Sequence, residues 1–213
     1  MFFTMPQSRV ICVGAFVAAL LLAAHSGAQT GELDHSFASH GIVTFKGGDS
    51  TYGNKEPSMR IYPASSELHA GQIVVAGSWW DYSAPKNGSP SFAVGRFLAD
   101  GTPDTSFGTN GVKTVAIQAT QQDWCNDVAI QADDKIVLVG RSGNNLGIAR
   151  LNANGSLDTS FSGDGIMTYT PSNYAYSWAY CVAVQKNGKI AEGGYGSNGN
   201  ESWFLLQLSS DGA

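Results

Sequence analysis

Acidic side chains that recur in a turn-like phrase are the first candidates for chemistry in this sequence. Asp34, Asp104 and Asp158 each stand two residues before a serine and three before a phenylalanine. Asp100 lies four residues before Asp104, and two carboxylates in a Gly-rich turn could wrap a Ca²⁺ ion. Asp and Ser also make local backbone hydrogen bonds in turns. Because the phrase occurs three times, we expect a structural turn with no metal or cofactor, and Ca²⁺ binding is the alternative.

Two arginines precede these turns at one fixed interval. Arg96 lies eight residues before Asp104, and Arg150 lies eight before Asp158. The repeated interval predicts an ion pair between a strand and the turn that follows it. With this structural role, neither arginine is a candidate for ligand binding.

The phenylalanine that ends each acidic phrase is a candidate core residue. Phe37, Phe107 and Phe161 follow the serine in each copy of the phrase. A phenylalanine buries a large apolar area when neighbouring units pack together. We therefore expect these rings to be wedges between neighbouring units and not to contact a cofactor.

Aromatic residues cluster where the copies differ. Trp79, Trp80 and Tyr82 lie in an inserted stretch, and variable loops on a repeated scaffold tend to hold ligand contacts. Successive strand residues point to opposite faces, so Trp79 and Trp80 cannot both face the core. We predict a weak ligand-binding site here. A second group alternates at 174, 176, 178 and 180, which favours one face of a strand packed on the core, with ligand binding as the alternative.

Whether the cysteines form a disulfide depends on the compartment in which the chain resides. Cys12 lies in the apolar N-terminal run, which leaves Cys125 and Cys181 in the remaining chain. Two cysteines in an oxidising compartment predict one disulfide, provided that the Cα atoms lie within about 7 Å. Buried free thiols are the alternative.

Motifs of catalysis are absent from the sequence. The string Gly194 to Gly199 matches G-x-G-x-x-G, but no helical pattern follows it, so the phosphate-cradling geometry is missing. There is no G-x-S-x-G, H-E-x-x-H or C-x-x-C pattern, and His35, His40 and His69 have no metal-ligand spacing. These patterns assign no catalytic residue.

The N-terminus has the features of a secretory signal peptide. Arg9 precedes an apolar run from Val10 to Ala24, and small residues follow it up to Ala28. The run of 15 residues is shorter than the roughly 20 that a membrane-spanning helix needs. We therefore predict a signal peptide at residues 1–28, cleavage near Ala28, and a secreted, periplasmic or cell-surface protein without a membrane span.

The charge of the remaining chain excludes some partners. Removal of Arg9 leaves 11 basic and 17 acidic side chains, a net charge of −6. Such a surface repels nucleic acid and anionic lipid. The composition predicts neither a DNA- or RNA-binding protein nor a membrane-surface protein.

Three features recur in a fixed order after the leader. They are the acidic phrase, an apolar run after a polar turn, and a strand that ends at an Asp-Gly or Asn-Gly turn. The interval is 54 residues both from Asp104 to Asp158 and from Ile136 to Ile190. A fourth β-like piece precedes each apolar run. The copies span about 31–99, 100–153 and 154–213.

Four short strands per repeat predict an all-β fold, a β-propeller-like array with one blade per copy. A parallel β-helix would have shorter periods, and a sandwich would not need phrases that recur in register. Three blades are fewer than the four to eight that typically close a propeller. We therefore expect an incomplete ring, a ring completed by a homodimer, or a fragment of a longer secreted repeat protein.

The phrase Leu-Asp-Thr-Ser-Phe, a Gln-x-Asp/Asn-x-Lys-Ile strand and an Ala-Arg-Leu-x-x-x-Gly strand together resemble the delta-60 repeat, a bacterial β-propeller module. The resemblance covers nearly all of residues 31–213. The first copy departs from it at Ala70-Gly71-Gln72, and the third has Gln207 in place of arginine. The resemblance implies a propeller fold and export, since such modules usually occur in secreted or surface proteins without assigned activities.

The sequence thus favours an exported binding or scaffolding module over an enzyme. Its expected partner is a glycan, a peptide or a surface protein, bound by loops at one face of the propeller. The alternative is a propeller hydrolase or lyase with a site in the central channel. Such a site needs acids, histidines or metal ligands that converge from different blades, whereas the polar phrases here repeat.

Overall fold

The computed structural model describes residues 32–44, 57–82 and 85–212. The predicted signal peptide at residues 1–28 lies outside the described residues. The chain divides into two compact units, Met1–Ile42 and Val43–Ala213. None of the described residues belongs to a helix long and apolar enough to cross a membrane.

The fold is all-β and propeller-like, and the described residues form three antiparallel sheets. The first sheet has the order β1-β2-β3-β4, the second β5-β6-β7-β8, and the third β11-β10-β9. The strands of the first sheet are β1 Ser58–Ile61, β2 Ile73–Asp81, β3 Ser89–Phe97 and β4 Val112–Val115. Those of the second are β5 Asp123–Ile130, β6 Ile136–Ser142, β7 Asn145–Leu151 and β8 Ile166–Tyr169. Those of the third are β9 Tyr176–Val184, β10 Ile190–Ser197 and β11 Glu201–Leu208.

The sheets and the sequence copies are one strand out of phase. The acidic phrase opens a copy in the sequence, but the strand that follows it completes the sheet before it. Val112–Val115 pairs with β3 of the first sheet, and Ile166–Tyr169 pairs with β7 of the second. Each of these two sheets is therefore completed by residues that belong to the next sequence copy.

Two apolar cores lie between the sheets. The first core joins the first and second sheets and includes Val74, Val94, Val128 and Leu138. The second core joins the second and third sheets, and it includes β-branched and aliphatic side chains from both. Strand alternation explains this arrangement, because Val137 and Leu138 are neighbours that point to opposite faces of β6 and are both fully buried. The second sheet is buried on both faces.

A polar clasp follows each of the first two sheets. Arg96 Nε donates to Asp104 Oδ2 at 2.8 Å, and Arg150 Nε donates to Asp158 Oδ2 at 2.6 Å. Each arginine also donates to the serine of the phrase, Ser106 or Ser160. The guanidinium carbons lie 4.8 Å from the ring centroids of Phe107 and Phe161. We call these groups the Arg96 clasp and the Arg150 clasp.

Each clasp also reaches the next sheet. Arg96 Nη1 donates to the carbonyl of Ala153, and Arg150 Nη1 donates to that of Ser210, in the turns after β7 and β11. The phenylalanines lie under glycines of these turns, where a Cβ at Gly212 would lie 2.5 Å from the Phe161 ring. Gly212 has a φ of +79°, so both the space and the backbone exclude a side chain. Phe107 and Phe161 are fully buried, one in each core.

The Arg150 clasp keeps the Asp158 carboxyl ionised. Burial raises the pKa of its carboxyl, but hydrogen bonds from Ser160 and the hydrogen bond and charge of Arg150 outweigh burial and lower the pKa to about 2. A buried carboxylate with these partners stays ionised at neutral pH. Lys135 Nζ lies 3.3 Å from the same Oδ2, so Asp158 pairs with two cations, of which Arg150 is the closer.

One acidic side chain joins all three sheets. Asp127 Oδ1 accepts hydrogen bonds from Ser58 Oγ at 2.5 Å and from Arg60 Nη2 at 2.9 Å in the first sheet. Its Oδ2 accepts from the backbone N–H of Val182 in the third sheet at 2.9 Å. Asp127 itself lies on β5 of the second sheet, so one carboxylate links three neighbouring strands.

The predicted disulfide is wrong. Cys125 is a buried free thiol in the first core, whereas Cys181 is an exposed free thiol. A bulge in β5 shifts the register between Cys125 and Asp127, and Asp127, not Cys125, occupies the position of Cys181 in the pairing with the next strand. The two thiols therefore face different sides of different sheets. Burial raises the pKa of the Cys125 thiol.

Glu192 is an unpaired acid in the second core. Its side chain is fully buried, and neither carboxyl oxygen has a hydrogen-bond partner among the described residues. It lies two residues after Ile190 in β10, as the apolar Leu138 lies two residues after Ile136 in β6. Burial raises the pKa of Glu192 to about 8, because an apolar core disfavours the charged form.

Replacement of Arg150 by Met should destabilise the fold by about 3 kcal/mol, because it removes the closer cation of the buried Asp158 carboxylate and leaves only the partly exposed Lys135 at 3.3 Å. The measurement is urea unfolding at neutral pH. Lys186→Met, which removes an exposed lysine, is the control and should leave the midpoint within error. An unchanged midpoint for Arg150→Met would show that the clasp contributes nothing.

Glu192→Gln should remove a pH dependence of stability. The folded-state pKa of Glu192 lies above the unfolded value, so the wild type should lose stability as pH rises from about 4.5 to 8. The loss is on the order of 4 kcal/mol for a shift of this size. Urea unfolding at pH 5 and pH 8 measures the difference for both proteins. Equal pH slopes for wild type and Glu192→Gln would contradict this account.

Candidate binding site: an aromatic row across three sheets

A continuous row of rings and one guanidinium crosses all three sheets at one end of their strands. Trp80 at the end of β2 meets Trp124 at the start of β5 edge to face, with ring centroids 5.8 Å apart. Arg141, at the end of β6, lies 5.7 Å from the Trp124 ring and 4.7 Å from the Trp178 ring in β9. We call Trp80, Trp124, Arg141 and Trp178 the aromatic row.

The third sheet extends the row by two tyrosines. Trp178 lies 5.3 Å from the ring of Tyr176 and 6.1 Å from that of Tyr195. Tyr195 pairs with Trp178 across the strands, so the two side chains stand on one face of the sheet. A hydrogen bond to Glu201, with a second to Tyr176, raises the pKa of Tyr195, which therefore stays protonated at neutral pH.

A buried lysine positions the first-sheet end of the row. Lys86 lies in the hairpin between β2 and β3, and its Nζ is 2.5 Å from Asp123 Oδ2 at the start of β5. The same Nζ donates to the backbone carbonyls of Gln118 and Gln121 at 2.8 and 2.6 Å. The hairpin is thereby tied to the residue before Trp124, which brings Trp80 against that ring.

Both oxygens of the Asp123 carboxylate accept hydrogen bonds from neighbouring residues. Asp123 Oδ1 accepts from Ser142 Oγ at 2.6 Å, and Oδ2 also accepts from the backbone N–H of Ile117 at 2.8 Å. Lys86 and Asp123 side chains are 2 % and 0 % exposed. A buried ion pair persists only with such added hydrogen bonds, so this end of the row is rigidly held.

The centre of the row holds a half-buried cation and two buried N–H donors. Arg141 is half-buried, and burial lowers the pKa of its guanidinium, which nevertheless remains cationic at neutral pH. Its Nε and the Trp124 Nε1 have no acceptor among the described residues. Both nitrogens are buried, so the groups that a ligand can reach are the half-buried side chains of Trp80, Arg141 and Trp178. Rings beside a cation suit a flat ligand that carries negative charge.

The residues predicted for a ligand site lie at or beside this row. Trp80 is in it, Trp79 precedes it on the opposite side of β2, and Tyr82 lies just beyond β2 with 63 % of its surface exposed. The alternating aromatic residues at 174, 176, 178 and 180 do not form one face packed on the core. A bulge at Tyr180 interrupts the alternation, Tyr180 is 46 % exposed, and it lines a groove together with Trp178.

The acidic phrases serve as turns in the structure. In each one the aspartate Oδ1 accepts from the backbone and hydroxyl of the serine two residues later, as in Asp34 with Ser36. Asp100 accepts from Thr102 instead of facing Asp104, whose other oxygen meets Arg96. No cluster of three or more His, Cys, Asp or Glu that could hold a metal occurs among the described residues. Phe37 is half-buried in the first unit.

Trp124, Arg141, Lys86 and Asp123 were not identified from the sequence. One signal could have indicated Trp124, because Trp178 follows it after 54 residues, the interval of the repeat. Arg141 has no such signal, since the residues at its position in the other sheets are Ser78 and Tyr195. Lys86 is in an insertion without a counterpart, so only the folded chain shows that it meets Asp123.

The comparisons with known proteins agree with the propeller architecture. A family described as a domain of unknown function (DUF5122) beta-propeller matches residues 71–107 and 131–161. The two matched segments contain β2 and β3, β6 and β7, and the arginine, aspartate, serine and phenylalanine of both clasps, so they coincide with the repeated part of the structure. No curated protein matches the chain.

Proposed function

We propose that this chain is an exported propeller module of the delta-60 type that binds a glycan bearing a carboxylate. The ligand lies along the aromatic row, where its sugar rings stack on tryptophans and its carboxylate meets Arg141. The clasps and cores hold the three sheets, and the row is the functional surface that they support.

The observation that carries this proposal is the unbroken contact from Trp80 through Arg141 to Trp178. Each sheet contributes to it, and Trp80 and Arg141 occupy positions where the repeat copies differ, whereas Trp124 and Trp178 recur at the repeat interval. A structural requirement recurs in every copy, whereas a single binding site does not. Aromatic faces beside a guanidinium offer both stacking and a charged hydrogen bond, which is the chemistry that an acidic sugar requires.

The delta-60 identity is supported by the phrases that the sequence repeats. The acidic turn, the Lys-Ile strand and the Arg strand occur in one order, and the structure gives the turn and the arginine a joint role in the clasp. Propeller modules of this kind are usually exported, in agreement with the leader-like N-terminus. A peptide or a surface protein is the alternative ligand.

Export should be visible as a shortened chain. When the full gene product is made in a bacterium with a general secretion system, we expect the extracytoplasmic protein to begin at Gln29, because small residues precede that position. Intact mass measurement of the periplasmic and medium fractions tests this. A full-length chain confined to the cytoplasm would contradict export.

Ligand binding should depend on the row. Wild-type protein is tested on a glycan array that includes neutral and uronate-containing oligosaccharides, and the best ligand is then titrated by calorimetry. Trp80→Ala and Arg141→Ser should each weaken binding at least about tenfold, since one removes a stacking face and the other the cation. Serine is chosen because Ser78 holds the equivalent position in the first sheet.

The control for Arg141→Ser is Lys189→Ser. Lys189 is an exposed cation beside the start of β10, at the opposite end of the sheet from the row. It should leave the affinity unchanged. Equal losses of affinity in Arg141→Ser and Lys189→Ser would show a general charge effect. A wild type that binds only neutral glycans, only peptides or none of the probes would overturn the proposed ligand.

A further inference from the structure

The third sheet carries large apolar side chains on the face that points away from the second sheet. Trp203 is 93 % exposed and Leu205 is 81 % exposed. Trp203, Cys181 and Tyr195 line a groove of about 690 Å³, and Leu205 follows Trp203 by two residues in β11. We call these four residues the outer face of the third sheet. A contiguous exposed apolar face on a sheet indicates an interaction surface.

The outer face repeats a surface that is buried elsewhere in the same molecule. Ile136 pairs with Leu151 in the second sheet as Ile190 pairs with Leu208 in the third. In this register Trp203 occupies the position of Leu146, and Leu205 occupies that of Ile148. Leu146 and Ile148 are fully buried in the second core, where they pack against the third sheet.

The first sheet exposes the complementary surface. Met59 and Ile61 are 55 % and 58 % exposed, on the side of β1 that points away from the first core. Met59 pairs with Val75 as Val128 pairs with Leu138, so Met59 occupies the position of Val128. Val128 is fully buried against the first sheet. The third sheet therefore presents the surface that the second sheet turns toward the third, and the first sheet presents the surface that the second sheet turns toward the first.

We infer that the outer face of the third sheet binds the free face of the first sheet in a second copy of this chain. The contact continues the two interfaces already present between neighbouring sheets. Because each copy offers both halves, two copies can close on each other through two such contacts. Six sheets then form one ring, a number within the four to eight of closed propellers.

The existing interface predicts which residues meet across the new one. Asp127 in the second sheet accepts a hydrogen bond from the backbone N–H of Val182 in the third, at 2.9 Å. Cys181 occupies the position of Asp127, because each lies opposite the residue three after the paired isoleucine. Met59 occupies the position of Val182. The Cys181 thiol of one copy therefore lies beside Met59 of the second copy.

The first test is the mass of the purified chain by light scattering over a range of concentrations. Wild type should have the mass of two chains. Leu205→Lys should have the mass of one chain, because it places a charge in the contact without a partner. Leu68→Lys is the matched control, since Leu68 is 80 % exposed in the turn between β1 and β2, outside both faces, and should remain a dimer.

The second test is a cross-link. In Met59→Cys, oxidised glutathione should drive a disulfide between residue 59 of one copy and Cys181 of the other, and denaturing electrophoresis without reductant should show a covalent dimer. Leu68→Cys and the double variant Met59→Cys, Cys181→Ser should not form it. Unfolding of Leu205→Lys is measured in parallel, so that a misfolded variant is distinguished from a dissociated one.

A single-chain mass at every concentration, or particles larger than two chains, would overturn the inference. A covalent dimer that forms equally in Leu68→Cys would overturn it as well. The outer face shares Tyr195 with the third-sheet end of the aromatic row, and Trp178 lines the same groove. Neither test contains a ligand, so the mass and the cross-link decide the dimer separately from the glycan. Loss of the dimer would leave the glycan titrations to decide the proposed function, and loss of glycan binding would leave the dimer intact.

Discussion

The buried pair of a strand arginine and a turn aspartate is the interaction on which the rest of this structure depends. It occurs after both complete sheets with nearly the same geometry, 2.8 Å for Arg96 and Asp104 and 2.6 Å for Arg150 and Asp158. Two charges taken from water are stable only when each has good partners. That requirement fixes the turn, the phenylalanine beneath the guanidinium and the carbonyl of the next sheet in one arrangement. Each clasp therefore joins the sheet that carries its arginine to a turn of the next sheet.

A scaffold held in this way leaves the unrepeated residues available for a ligand. The aromatic row depends on an insertion in one copy, and on the Lys86 and Asp123 pair that ties the insertion to the next sheet. The repeated contacts supply stability, and Trp80 and Arg141, which differ between the copies, complete a surface that includes the recurring Trp124 and Trp178. This division also explains why Arg141 can lie between two tryptophans while the residues in its place elsewhere are a serine and a tyrosine.

The same repetition accounts for the terminal sheets. In a repeat protein each unit buries its apolar faces against its neighbours, so a terminal unit carries a face of the same kind. Trp203 and Leu205 on one side, and Met59 and Ile61 on the other, are such faces. Within the second core, Glu192 is an exception to the apolar rule, a buried acid in the position where the second sheet has a leucine.

The sequence by itself determined the fold class, the four-strand repeat and the interval between Arg150 and Asp158, because these follow from local patterns that recur every 54 residues. Trp80 was also identifiable, since it lies where the copies differ. Only the tertiary structure decided that the strand after each acidic phrase completes the preceding sheet, because pairing joins residues distant in the chain. It also decided that Cys125 and Cys181 do not pair, since one bulged residue reverses the face on which a strand presents its side chains. The aromatic row could not be predicted, because its contacts join three sheets and no spacing within one strand encodes them.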